Sequence, residues 1–140
     1  MATPVSIRFD DHLLARLRRR AQAMTGATVS GLAQRLIDEG LRMADHPGIV
    51  FKDGPTGRRA ALAYGPDIWE IVRFLREIDE RGAAALEAAA EVMALEVSRI
   101  ATAVSYYGDY SDEIDAEIEA AEQAAAEAEE AWRIRQRLIA

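Results

Sequence analysis

The sequence predicts a mainly α fold with short β segments, and three observations carry that reading. Apolar residues recur at helical spacing through residues 11–43. Two short stretches, 4–9 and 49–62, instead show strand-like patterning bounded by turn residues. From Ser111 to the end the chain is rich in Ala and Glu and has neither Gly nor Pro, which favours one long helix. The expected organisation is an N-terminal unit over 1–44, a hairpin plus helical unit over 45–110, and a C-terminal amphipathic helix over 111–140.

The first element is "PVSIRF" at 4–9, where Val5, Ile7 and Phe9 alternate with Ser6 and Arg8, a period of two with one apolar face. Asp10 then caps a helix of about 11–24 carrying Leu13, Leu14, Leu17, Ala21 and Met24. Thr25-Gly26-Ala27 interrupts it. Thr28 or Ser30 caps a second helix, with Leu32, Ala33, Leu36, Ile37 and Leu41 as its apolar face to about Met43. Asp45-His46-Pro47-Gly48 marks the clearest boundary. "IVFK" and "RRAALA" then flank Asp53-Gly54-Pro55-Thr56-Gly57, a hairpin with an expected five-residue loop. Gly65-Pro66-Asp67 opens a helix to about Asp79, and Gly82 opens another to about Val92. A turn at Met93–Leu95 leads to a third, about 96–107, ending on Tyr106-Tyr107-Gly108.

Composition narrows the classes. The 140 residues are 50% hydrophobic and 29% charged, as in globular chains. Cysteine is absent, which removes disulfides and thiolate metal sites. No apolar run approaches the roughly 18 residues of a bilayer span, and no basic-then-apolar export signal opens the chain; a soluble cytoplasmic protein is expected. Net charge is −7 but polarised: residues 1–43 hold seven Arg against four acids, and residues 105–140 hold three Arg against ten acids. A basic head can face phosphates while an acidic tail meets something else.

The strand at 4–9 has no adjacent partner, because the residues after it are helical and the hairpin strands satisfy each other. An unpaired strand leaves backbone donors and acceptors without partners. A second copy solves this: two antiparallel segments form a ribbon across a two-fold axis, with Val5, Ile7 and Phe9 over Leu32 and Leu36 as the dimer core. A two-stranded ribbon fits the DNA major groove, Arg bonds guanine at two points, and Ser bonds several bases. A helix N-terminus is an anion site.

Strand, helix, turn and helix within 43 residues resemble the ribbon-helix-helix family of Arc, MetJ and CopG-type repressors; the matching residues are "VSIRF", the acid-capped helix, "TGATVSG" and the Leu/Ile face of the second helix. The resemblance implies a dimer that reads operator bases through the outward Pro4, Ser6 and Arg8 and holds phosphate at Thr28, Val29 and Ser30. Pro4 departs from the polar reader usual at that position, so modest specificity and strong salt dependence are expected. Arg18-Arg19-Arg20 fan around their helix, and one or two of them reach phosphate in this reading.

The stretch from about 47 to 115 resembles a helix-turn-helix-like domain found in antitoxin-like bacterial proteins, above all in "AVSYYGDYSDEID" at 103–115. Helix 94–110 offers only Arg99 against Glu96 and Asp109, so packing or protein binding is its expected role. On the last helix Ile114, Ile118, Ala121, Ala125, Ala128, Trp132, Arg135 and Ile139 follow spacings of four and three, a stripe too thin to build a core. Trp132, Ile134, Leu138 and Ile139 are bulky anchors for a partner, and Arg133, Arg135 and Arg137 gather at the tip.

Head and second domain together resemble a VapB-type antitoxin, which implies three partners: operator DNA, a PIN-like ribonuclease toxin and the chain itself. By that resemblance a C-terminal arginine enters the toxin's carboxylate cluster, takes the place of Mg²⁺ and keeps RNA out. Two other readings stay open: a stand-alone repressor whose second half senses a ligand or extends the dimer, and a structural adaptor that assembles through the long helix. Cationic residues at a helix C-terminus are also favourable in an intramolecular or homomeric coil.

Catalysis is not expected, nor any cofactor or metal. His12 and His46 are far apart in sequence with no evident carboxylate set. "GPTG" at 54–57 lacks the Gly-Lys-Ser/Thr of a phosphate loop, and "DYSDEID" lacks the glycine and final Glu of a calcium loop.

Overall fold

The computed structural model describes residues 1–55 and 57–140, and the chain divides into two compact units, Met1–Arg42 and Met43–Ala140. The architecture is mainly helical, with a short antiparallel hairpin and a long C-terminal helix.

In the first unit, α1 (Asp11–Gln22) begins where the Leu13 amide donates to Asp10 Oδ1 at 2.9 Å. α2 (Val29–Asp45) begins where the Gly31 amide donates to Thr28 Oγ1 at 3.0 Å, so Thr28 rather than Ser30 is the cap. Gly26, at φ 75°, turns the chain between them. The core is small: Leu17, Ala21 and Leu32 are buried, with Phe9, Met24 and Ala33 packed against them.

Residues 1–10 lie outside every helix and strand of the single chain. The alternation of Val5, Ile7 and Phe9 therefore does not make a strand by itself. The described strands come after the two helices and form a two-stranded sheet with each other, with one further bridge between Ala61 and Asp67. A strand exists by virtue of the edge beside it, and among the described residues this segment is paired with none.

The second unit opens with β1 (Ile49–Gly54) and β2 (Gly57–Leu62), paired from Ile49↔Leu62 to Gly54↔Gly57. The expected five-residue loop is thus shorter, because Asp53 pairs with Arg58 and Gly54 with Gly57; Thr56 lies outside the described residues. Two local features favour the tighter turn: Gly57 takes φ 113°, and Arg58 Nη1 sits 3.3 Å from Asp53 Oδ2.

Asp67 precedes α3 (Ile68–Glu77) and its own amide donates to Glu70 Oε2 at 2.9 Å, closing a capping box. α4 (Ala83–Met93) ends on Ala94 in the left-handed conformation, φ 54°. α5 (Val97–Asp109) runs through Gly108 rather than stopping there. A glycine inside a helix costs only about 1 kcal/mol, which the complete burial of Tyr106 two residues earlier outweighs. The break falls at Tyr110, φ −130° and ψ 38°, and α6 (Ser111–Ile139) follows directly.

One core serves all of these elements. Leu62, Ile68, Ile71, Ile100, Tyr106 and Ile114 are its largest fully buried side chains. Ile118 is buried with them. The stripe on α6 that is too thin to form a core alone thus adds its first two members to a core built mainly by others. Beyond Ala121 the same helix is exposed apart from a half-buried Ala131.

This division has a measurable consequence. Ile100→Ala should cost roughly 2–5 kcal/mol of stability in urea unfolding, whereas Leu138→Ala, at a side chain 86% exposed, should change it by less than about 0.5 kcal/mol.

Candidate functional site

Three surfaces carry chemistry beyond what the fold requires. The first is on the Met1–Arg42 unit. Val5 is 76% exposed and Ile7 57%, while Leu36 is 42% exposed and Leu13, Ile37 and Leu41 are also open to solvent. Leu13, Leu17 and Leu36 form the apolar wall of a groove of about 640 Å³, rimmed by Arg16, Arg19 and Arg20. Of the residues expected in a dimer core, Leu32 is buried within the chain, Phe9 is half-buried against Leu17, Ala21 and Leu32, and Val5, Ile7 and Leu36 are uncovered.

The residues expected at DNA are all exposed: Pro4, Ser6 and Arg8 in the N-terminal segment, and Thr28, Val29 and Ser30 at the start of α2. The Thr28 hydroxyl takes the Gly31 amide, which leaves the two amides before it, those of Val29 and Ser30, at the open end of the helix. Such amides point outward along the axis and attract an anion.

The second surface is the distal half of α6. Trp132, Ile134, Leu138 and Ile139 are all more than half exposed. The three arginines at the tip are not equivalent. Arg133 pairs with Glu129 and Glu130, and Arg137 lies 3.6 Å from Glu130. Arg135 has no ion pair among the described residues, so its guanidinium is the one not already held by its own helix.

The third surface is a cleft of about 460 Å³ between the hairpin, the start of α3 and α6, bordered by Lys52, Arg59, Asp67, Trp69, Glu70 and Glu117. Asp67 organises it. Its Oδ2 accepts from Arg59 Nε and from Trp69 Nε1, the latter at 3.1 Å. The Arg59 guanidinium reaches over Gly54, with Nη1 in the space that a β-carbon would occupy. Two polar atoms in this region are buried without a hydrogen-bond partner among the described residues, Arg59 Nη1 and Glu117 Oε2. Burial pushes the Glu117 carboxyl up to about 7, with the negative charges of Glu113 and Asp67 adding to the shift and Arg59 opposing it.

Sequence reasoning missed two further partnerships. His46 is buried, with Nε2 at 2.8 Å from Asp109 Oδ2 and the rings of Tyr106 and Tyr110 edge-on to it. This single carboxylate partner lies 63 positions away in sequence. Arg76 bonds both the Tyr107 hydroxyl and Asp115, tying α3 to α5 and α6. No group of three or more His, Cys, Asp or Glu side chains able to hold a metal ion occurs among the described residues. No helix of the structure is long and apolar enough to cross a membrane.

No protein-family model, curated protein or solved structure matches the chain.

Glu117 gives the second unit a defined pH response. A carboxyl raised from 4.5 to about 7 by the fold favours the protonated state when folded. Its stabilising contribution is therefore present in full below the unfolded value and lost as pH rises through the folded one. Thermal unfolding followed by circular dichroism should show a midpoint that declines from pH 5 to pH 8 in the native chain, and Glu117→Gln should flatten that decline and raise the midpoint at pH 8. An unchanged slope would mean that Glu117 ionises without cost in the folded state.

Proposed function

We propose that this chain is the antitoxin of a type II toxin–antitoxin pair, a dimeric ribbon-helix-helix repressor that binds operator DNA with its N-terminal unit and neutralises a PIN-like ribonuclease with its C-terminal half. The observation that carries the proposal is the uncovered apolar surface of the first unit. Val5, Ile7, Leu13, Leu36, Ile37 and Leu41 are exposed together in a unit with three buried core residues. Surfaces of this kind on so small a unit mark association sites.

A second copy accounts for them with the fewest assumptions. Two antiparallel 4–9 segments pair their backbones, turn Val5, Ile7 and Phe9 toward the Leu13–Leu36 groove, and leave Pro4, Ser6 and Arg8 on the face away from it. That face, carrying Ser6 and Arg8 with the open amides of Val29 and Ser30 in the same unit, has the chemistry of a major-groove ribbon fixed by phosphate contacts.

The exposed anchors of α6 support the second half of the proposal. A helix with bulky residues at its end and a narrow alanine stripe before them lies closely along a partner's surface. Arg135, the tip arginine without an intrahelical ion pair, is the residue we assign to the toxin's carboxylate cluster, between the anchors Trp132 and Leu138. The runner-up, a stand-alone repressor whose second half senses a ligand, draws support from the cleft at Asp67 and Glu117.

Two measurements separate these readings. Arg8→Ala should leave the dimer intact in sedimentation while removing the preference for operator over random duplex in a gel-shift titration. Deletion of residues after Ala120 retains Ile114 and Ile118 and so should preserve folding and operator binding while abolishing inhibition of the co-expressed nuclease. A truncated chain that still inhibits it would remove α6 from the mechanism.

A further inference from the structure

The connection from β2 to α3 holds an aromatic side chain in an unusual way. Tyr64 is fully exposed, at 102% of its reference area, and its backbone lies in the left-handed region at φ 54°. A β-carbon is disfavoured there, and glycine or asparagine is the ordinary occupant. Nothing in the core requires the ring, because it touches none of it.

The backbone around the ring is held firmly. The Ala63 amide donates to the Gly48 carbonyl at 2.9 Å, and the Gly65 amide donates to the Leu62 carbonyl at 3.1 Å. Two cations complete the clamp from outside. Arg99 Nη2 donates to the Ala63 carbonyl, and Lys52 Nζ donates to the Gly65 carbonyl at 3.0 Å. A β-carbon at Gly65 would be tight against both Arg99 Nη2 and Leu62 Cβ, each at 3.1 Å. The result is a rigid turn that projects one aromatic ring into water, with a cation seated on the carbonyl at either side of it.

We infer that Tyr64, Lys52 and Arg99 form a contact site for single-stranded nucleic acid, separate from the operator face of the first unit. A flat ring in solvent offers stacking to any base, and the flanking cations attract the phosphates before and after that base. A single-stranded partner fits better than a duplex, whose base faces are already stacked. It also fits better than an apolar protein surface, which would have to desolvate two charges beside the ring. Arg99 each time keeps donors beyond the one on Ala63, and Lys52 beyond the one on Gly65. Strain of this kind is retained where a display is useful.

The test uses the full chain and a short, labelled oligonucleotide of mixed sequence, as RNA and as DNA, read by fluorescence anisotropy at low and moderate salt. The native protein should bind and weaken with salt. Tyr64→Gly, which relieves the backbone, should unfold at the same or a higher temperature yet bind about tenfold more weakly; Tyr64→Trp should restore binding, and Lys52→Gln should reduce the salt dependence. Arg8→Ala should retain single-strand binding, so that this inference and the operator reading fail independently. Absence of binding by the native chain at low salt, equal binding by Tyr64→Gly, or loss of binding in Arg8→Ala would each overturn it. So would a Tyr64→Gly chain that loses a protein partner while its oligonucleotide affinity is unchanged.

Discussion

A shortage of interior shapes the first 42 residues. Two helices and a short extended segment cannot enclose the apolar side chains they carry, and of these only Leu17, Ala21 and Leu32 are buried. Burial of apolar surface at about 25 cal/mol per Å² is the main force available to so small a unit, and units of this size usually need another chain, a metal or disulfides to be stable. Cysteine is absent, and no metal-holding cluster occurs among the described residues. In the proposed dimer a second copy takes their place. The same shortage leaves the N-terminal segment without an edge to pair with, so one partner would meet both the apolar need and the backbone's need.

The second unit obeys the opposite condition. Its hairpin, three middle helices and the start of α6 meet on one set of side chains, from Leu62 and Ile68 to Tyr106 and Ile114. Polar ties surround that core where elements meet: Asp67 joins Arg59 of the hairpin to Trp69 of α3, His46 meets Asp109, and Arg76 meets Tyr107 and Asp115. Each of these ties brings together residues from different elements or from opposite ends of one connection. The unit is therefore braced at several points, and the two projecting features, the turn at Tyr64 and the distal part of α6, extend from a firm base.

Charge distribution follows the same division. The first unit is basic and its exposed arginines border an apolar groove, a combination suited to association beside phosphates. The last helix is acidic until its tip, where Arg133 and Arg137 are neutralised by glutamates of the same helix and Arg135 is not. At Glu117 the concentration of negative charge has an internal cost: Glu113 and Asp67 lie close enough to oppose its ionisation.

The sequence by itself determined what depends on neighbours along the chain. Helix periodicity, the cap at Asp10, a second cap at Thr28 or Ser30, the hairpin glycines and the Gly- and Pro-free final helix were legible because each rests on local stereochemistry. The tertiary structure decided what depends on distant residues. Only three-dimensional packing brought His46 to Asp109 and Lys52 and Arg99 to the carbonyls flanking Tyr64, and placed Ile114 and Ile118 in a core while leaving Trp132 outside it. The alternation at 4–9 lies between these cases, since periodicity specifies which residues share a face while a strand forms only against an edge, and no local rule supplies that edge.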